Sequence, residues 1–588
     1  MSSSYEAPVA LMRLTLAQAE RAAGAHVIEG YGETLSAVAE PVLEGAARFA
    51  AEVLSPLNRL GDRLPSHLQP GGGVVTPPGF TAAYRRFRED GWASLAAPAE
   101  RGGQGLPMLL AAPVTEMWAG ANLSFAMCPE LAVGALEVLR AHAPPELLER
   151  YAPRIASGEW TAAMDLTEPQ AGSDLSLIRT WAQLHGDAWR LRGRKVFISW
   201  GDHDLSDNIV HFVLARTPQA PAGVRGLSLF LVPKKIAAHG RLEPNDIQAL
   251  SVDHKMGIRA SPTCLMALGE GEGARGWLIG RVNEGLACMF TMMNHMRLGV
   301  GLHSLGLAER ALQLARAYAR QRVQGHDASG ASRAIIAHAD VRRMLLTMKA
   351  LVHAARSLAY TAAAVLDVSQ RAAEPSAREK AVRRLDLLTP LVKAWCSDTA
   401  VEVASLGVQV HGGAGYVDDS EISQLYRDAR ISPIFEGTNY IQAQDLLARK
   451  VFRDAGAALR ELLEEIGQAA RALPRDTSDP LWLLREQLLQ EAPRLAETAA
   501  ALMARPPEPD LIGAAAHHFL HWLGVLAGGW QWALTAANAR SVPESAQSRS
   551  LIATAAFYAA HILPRARLHH AVIERGAQAL AATPAEDI

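Results

Sequence analysis

Cysteine is scarce in this chain of 588 residues: only Cys128, Cys264, Cys288 and Cys396, no two close enough for a C-x-x-C metal or redox motif. A disulfide scaffold is therefore excluded, no metal site is expected, and a reducing, cytoplasmic compartment fits. An excess of charge is also missing, since 58 Lys+Arg against 60 Asp+Glu leave a net −2. Nucleic-acid binders usually show a basic excess or stripe, so none is expected as a partner. The opening residues, MSSSYEAPVALMRLTLAQAE, lack a basic segment followed by a clean apolar run, and no signal peptide is expected. One apolar run, Phe519 to Ala537, is about long enough to cross a bilayer. It contains His521, Gln531 and three glycines, which favours a buried helix pair over a membrane span. No G-x-G-x-x-G is present. Gly299, Gly301 and Gly306 lie inside a helical pattern, where close helix packing is the expected reason for them.

The length calls for three or four domains. Residues 1–160 read as an N-terminal helical domain interrupted by the connector LQPGGGVVTPPGF. From 161 to 282 the texture changes to short runs such as AWRLRGRKVFIS, NIVHFVLART and GLSLFLVPKK, separated by turn residues: a middle antiparallel β domain. GEGEGARG within it reads as a flexible, hairpin-like loop. Residues 283–455 return to long helices with apolar positions every three to four residues, as a four-helix bundle requires. RDTSDP marks a linker, and 480–588 is an additional helical domain. The fold class is thus mainly α with a middle antiparallel β domain. The order of elements excludes a Rossmann fold, which alternates strands and helices.

Four strings carry chemistry. TEPQAGSD, Thr167 to Asp174, offers hydroxyls and small residues whose backbone N–H groups can approach a ligand; an ordinary polar turn has the same composition. VFIS, Val196 to Ser199, places an aromatic ring and a hydroxyl on a strand that could equally be plain core. QVHGGAGY, Gln409 to Tyr416, ends a long helix with two glycines able to expose N–H groups, or simply to stop the helix. In RISPIFEGTNYIQ, Glu436 follows Ile434 and Phe435. An apolar flank would desolvate its carboxylate and strengthen it as a base, whereas a helix cap or a solvated acid is the plain alternative. Asp418, Asp419 and Glu421, in YVDDSE, read as a solvated turn.

In this order TEPQAGSD, FIS, QVHGGAGY and IFEGTN resemble the acyl-CoA dehydrogenase family over about residues 40–450. HDLSDNIVHFVLARTP, HKMGIRASPTC, MFTMMNHMRLGVG and the extra C-terminal domain resemble its long subfamily. The resemblance implies FAD held between the β domain and the bundle and reaching a neighbouring subunit, hence a homo-oligomer. Leu166, Thr167, Gly172, Ser173, Phe197 and Ser199 match positions lining the flavin. Gln409, Gly412 and Gly413 match a segment holding the ADP half, and Arg322 matches an arginine that meets the FAD pyrophosphate across the subunit contact. Thr438 and Asn439 match FAD contacts, and Glu436 matches the catalytic glutamate. Ser173, Asn294, Arg297 and Gly437 are the expected substrate contacts. Gln324 stands where phenylalanine is usual, and Asn294 where some relatives carry an aspartate.

The implied reaction is α,β-dehydrogenation of an acyl thioester of coenzyme A or acyl carrier protein. Electrons would pass to an electron-transferring flavoprotein. An oxidase returning electrons to oxygen is the near alternative. Flavin monooxygenases on this fold usually lack the glutamate. A DNA-associated, non-enzymatic relative should carry a basic C-terminal domain, but residues 451–588 hold 12 Arg, no Lys and 15 Asp+Glu, a balance of −3.

Overall fold

The middle of the chain alternates short runs rich in Val, Leu and Phe with turn residues, a composition suited to a pleated, buried surface. In the computed structural model, which describes residues 4–238, 240–327, 329–504 and 509–588, these runs form an eight-stranded sheet. Its strands are β1 (Trp160–Asp165), β2 (Trp181–His185), β3 (Ala188–Ser199), β4 (Asn208–Arg216), β5 (Leu227–Pro233), β6 (Ile247–Val252), β7 (Thr263–Leu268) and β8 (Ala274–Ile279). The spatial order is β6-β7-β3-β8-β5-β4-β1, with β2 against β3 and β4. Neighbours are antiparallel except β1 with β4 and the short β2–β4 contact, which are parallel. The expected antiparallel domain is therefore mixed, because the long connection from β1 to β4 permits a parallel pair. β4 and β5 are buried along nearly their whole length, as their continuous apolar sequences require. Leu191, Val213, Phe230 and Met266 belong to the core that results; burying each such side chain contributes about 1.5–3 kcal/mol.

GEGEGARG is not a hairpin. β7 pairs with β3 over Gly193–Ser199 and β8 pairs with it over Trp189–Leu191, so the loop spans the step between these two stretches in the middle of β3. Arg192 of β3 donates to the carbonyls of Gly269 and Gly271, and Arg190 donates to that of Gly273. The Asp246 carboxylate accepts the N–H groups of Gly271 and Gly273. At Gly269 a side chain would meet the Leu191 carbonyl at 2.3 Å, so only glycine fits.

The helices used below are α1 (Val9–Ala23), α2 (Met108–His142), α3 (Gly285–Gln321), α4 (Ala339–Arg371), α5 (Pro375–His411), α6 (Glu421–Ala429), α7 (Asn439–Gln444), α8 (Ala457–Arg471), α9 (Trp482–Met503), α10 (Pro509–Arg540), α11 (Ala546–His561) and α12 (Arg565–Ala581). By contacts the chain divides into two units: residues up to Ala47 with Met108–Gly120 and Val300–Ile588, and Arg48–Pro107 with Ala121–Gly299. The expected helical domain over 1–160 is thus split. The division in α2 falls beside Asn122, whose backbone is non-helical (φ −164°, ψ 92°) and whose side chain accepts the Phe125 N–H. An N-cap embedded in an apolar run makes one helix into two. α8 packs on α9, so the additional helical domain begins before the expected residue 480.

The helical unit packs closely where glycine allows. A side chain at Gly301 would lie 2.4 Å from Val392, and one at Gly306 would lie 2.5 Å from the Glu116 carbonyl, so these glycines serve helix packing as expected. Arg356 of α4 is buried and donates to both oxygens of Glu116 and to Glu309 at 2.6–3.1 Å. Tyr360 donates its hydroxyl to Glu116 at 2.6 Å. The run 519–537 lies in α10 and is largely buried; Gln531 receives Gln18 of α1 at 2.9 Å and donates to Thr361 of α4. Among the described residues one helix, Met108–His142, and not α10, is long and apolar enough to cross a membrane, and most of its apolar stretch is buried in the protein.

Removing Arg356 strands two buried carboxylates. Arg356→Met is expected to lower stability by about 3–5 kcal/mol in denaturant unfolding. Replacing Glu116 and Glu309 with Gln in the same chain should recover part of that loss.

Candidate active site

The sheet unit carries one group of candidate residues. β3 pairs with β7 through Ser199 to Thr263, Ile198 to Cys264, then Lys195 to Met266, so Val196 and Phe197 together face a single residue. This β-bulge interrupts alternation. Phe197 takes φ 60° and is 67% exposed, while Lys195 is fully buried. Bulges re-aim side chains, and a large apolar residue held exposed in a left-handed conformation is strained, as at ligand sites.

The TEPQAGSD turn is held against the bulge. The Val196 N–H donates to the Thr167 carbonyl at 2.9 Å. Lys195 donates to the Leu166 carbonyl and to Glu168, each at 2.9 Å. Glu168 also accepts the N–H groups of Arg179 and Thr180 and the amide of Gln170. Burial opposes its charge, but Lys195 and these donors outweigh burial and hold the carboxyl down at about 2. Burial pulls Lys195 below the usual lysine range, and Glu168 pulls it partly back. Gly172 and Ser173 are exposed, and a side chain at Gly172 would meet nothing within 4 Å. Leu166, Thr167, Phe197 and Ser199 are thereby brought together. Lys195 and Glu168 were not foreseen: among Arg190, Arg192 and Arg194 on the same strand, nothing local singles out Lys195 as the buried cation.

The helical unit carries a second group. Glu436 sits between α6 and α7 at φ 57°, followed by Gly437 at φ 82°. Such a conformation costs a non-glycine residue about 1–2 kcal/mol and persists only where neighbours enforce it. Here the Asn439 N–H closes the loop on the Pro433 carbonyl at 2.9 Å, and the Gln442 amide reaches the carbonyls of Glu436 and Gly437. Thr438 caps α7 by accepting the Ile441 N–H, so Glu436 is not the helix cap. Its Oε2 is buried. Phe435 is half-buried but Ile434 is 51% exposed, so the expected apolar flank is formed on one side only. Asn439 is buried and fully engaged: it accepts from Lys393 at 2.9 Å and donates to Ser397 and the Ala394 carbonyl. Its side chain ties the loop to α5. Lys393 and Gln442 were not foreseen as supports of this loop.

At the end of α5, Gln409, Gly412 and Gly413 are exposed. Gly412 takes φ 59°, and a side chain at either glycine would meet nothing within 4 Å, leaving backbone open to a ligand. Arg322 is exposed beside the hairpin Val323–His326 with Ser332–Ala334 and donates to Gln324. Arg297 is buried in the sheet unit, with its guanidinium over Phe290 and donating to Asn294. The acidic turn needs one correction. Glu421 is largely buried and accepts from two nitrogens of Arg310, Nε and Nη2, at 2.8–2.9 Å, whereas Asp418 stays exposed. Burial and that pairing remove Glu421 as an alternative base.

Family models for the N-terminal, middle and C-terminal domains of acyl-CoA dehydrogenase match residues 41–159, 163–269 and 283–451, and an acetyl-CoA dehydrogenase C-terminal-like model matches 462–584. A 3-methylmercaptopropionyl-CoA dehydrogenase of Ruegeria pomeroyi is 41% identical, covering 97% of this chain and 98% of its own. The chain belongs to the acyl-CoA dehydrogenase family. It is an oxidoreductase of that family. A broad-specificity linear acyl-CoA dehydrogenase of Mycobacterium tuberculosis is 33% identical over 87% of this chain and 88% of its own. The fold is also that of Caenorhabditis elegans ACDH-11 in complex with C11-CoA (TM-score 0.78, 20% identity, 98% and 96% covered). An acyl-CoA dehydrogenase of Bacillus anthracis complexed with FAD shares the fold too (TM-score 0.76, 20% identity, 96% and 91% covered).

The Lys195–Glu168 pair gives a test of the turn. Lys195→Met should destabilise by about 3–5 kcal/mol, because it leaves a buried carboxylate unpaired. Since the folded value of Glu168, about 2, lies below the ~4.3 of an unfolded chain, its stabilisation is full above ~5 and is lost as pH falls toward the folded value. The stability difference between wild type and Glu168→Gln should therefore shrink on acidification through that window, as read by denaturant unfolding.

Proposed function

We propose that the protein oxidises the Cα–Cβ bond of an acyl-CoA thioester to the trans-2-enoyl thioester, with Glu436 as the base. The observation that carries this reading is the enforced left-handed backbone at Glu436, which fixes a carboxylate at one point on a loop clamped to α5 and α7. Glu436 takes the α-proton, and the electron pair left at Cα forms the new double bond. The Glu436 N–H is suited to hold the thioester carbonyl, an interaction that strengthens as enolate character develops and so lowers the barrier. Gly437 keeps the backbone beside it free of a side chain.

The cofactor is FAD. Leu166, Thr167, Gly172, Ser173, Phe197 and Ser199 are suited to the flavin, and Gln409, Gly412 and Gly413 to the ADP half. The fit rests on an exposed aromatic held by a bulge and on glycines with open space around them. When bound, FAD supplies the acceptor for the hydride from Cβ. Exposed Arg322 serves the cofactor of a second copy in a homo-oligomer, and electrons pass on to an electron-transferring flavoprotein.

Glu436→Gln keeps the shape of the side chain but cannot accept a proton. It should retain FAD and bind acyl-CoA, while flavin bleaching under anaerobic conditions slows by ~10²–10⁴. Bleaching at the wild-type rate would remove Glu436 from the role of base. Phe197→Ala should lower FAD occupancy of the purified protein, read as the visible-to-ultraviolet absorbance ratio, without abolishing folding.

A further inference from the structure

A cavity of about 370 Å³ lies in the helical unit, among the N-terminal segment, the C-terminal half of α3, α4, α10 and α11. None of the residues assigned above to FAD or substrate lines it. Its volume is in the range of small-molecule sites. Four cationic side chains, Arg316, Arg320, Lys349 and Arg356, line it against two acids, Glu6 and Glu309. Arg356 and Glu309 already satisfy each other in the buried cluster, so the surplus rests on Arg316, Arg320 and Lys349. Lys349 spends one N–H on Ser550 at 2.6 Å. Burial and the neighbouring Arg316 both pull Lys349 below the usual lysine range, the response expected of an amine crowded by a like charge. Leu11, Leu312, Val352 and Leu551 form an apolar part of the wall, and Ser4 and Gln313 add polar groups.

A second observation comes from His353, which lines the same cavity and is only 4% exposed. Its Nε2 meets Thr535 Oγ1 at 3.0 Å, and the Thr535 hydroxyl is directed to Gln18 and the Gln531 carbonyl. Nε2 therefore carries the proton and Nδ1 is an acceptor. Nδ1 has no hydrogen-bond partner among the described residues. A buried acceptor without a donor costs about 1–3 kcal/mol, which a water held between Nδ1 and a bound anion, donating to both, removes.

We propose that this cavity is a second small-molecule site, one that binds an amphiphilic organic anion: a carboxylate or phosphate head at Arg316, Arg320 and Lys349, with a short apolar chain along Leu312, Val352 and Leu551. Ligand binding there stabilises the helical unit, because the site shares Arg356 and Glu309 with its buried ion cluster.

The test is calorimetric titration of the flavin-loaded protein with octanoate, octyl phosphate and inorganic phosphate, with thermal unfolding alongside. Both octyl compounds should bind and raise the unfolding temperature, and inorganic phosphate should bind at least ~10-fold more weakly. Replacing Arg316 and Lys349 with Ala should weaken octyl binding at least ~10-fold, while flavin bleaching by acyl-CoA stays at the wild-type rate. Leu551→Trp, which fills the cavity from α11 without touching the cations, should weaken octyl binding as much. Absence of octyl binding, binding unchanged in both variants, or inorganic phosphate as tight as octyl phosphate would overturn the proposal. Failure of bleaching in wild type would count against the dehydrogenase reading alone.

Discussion

Holding a non-glycine residue at positive φ requires neighbours that deny it every alternative, and each unit does so at one of its candidate residues. Phe197 and Glu436 both sit there, at φ 60° and 57°. In each case a buried lysine supports the nearby backbone: Lys195 through Glu168 and the Leu166 carbonyl, Lys393 through Asn439. A buried ammonium is costly unless it is hydrogen-bonded. Once bonded, it is a poor candidate for movement, because any displacement exposes the full desolvation cost. The two supports convert that cost into positional accuracy for the groups they serve.

The helical unit uses the same logic at larger scale. Glu116, Arg356, Glu309 and Tyr360 join α2, α3 and α4 through bonds of 2.6–3.1 Å. Asp367 adds another tie: it accepts the first two N–H groups of α2 and the hydroxyl of Tyr31. Apolar burial supplies most of the driving force, but it is non-directional. The buried polar contacts fix which face of each helix meets which, as an oil-like interface of Ala and Leu would not.

The fold was legible in the sequence where periodicity was strong. The apolar runs of β4 and β5, the long α3, α4 and α5, and the burial of 519–537 follow from composition and period alone. Gly301 and Gly306 were read as packing glycines for the same reason. What escaped was set by tertiary pairing. GEGEGARG looks like a hairpin until Arg190 and Arg192 draw it against β3, and Glu421 looks solvated until Arg310 arrives from a residue 111 positions away. The site was legible as strings but not as a mechanism of support. Glu436 stood out in IFEGTN, yet nothing local announced that Lys393 and Gln442 would hold its loop.

The bond between Gln18 and Gln531 spans 513 positions. It belongs to a buried polar chain with Thr361, Thr535 and His353 that stitches α1 to α4 and α10. In synthesis, helix α1 precedes its partner α10 by a long stretch of chain. Until α10 emerges, the Gln18 amide lacks its native partner, although α1 already has α4 to pack against. Such a contact is of high sequence separation and forms late. The order of synthesis is thus at odds with the order of assembly. A chain interrupted before α10 would leave Gln18, Thr361 and His353 without the buried partners that α10 supplies.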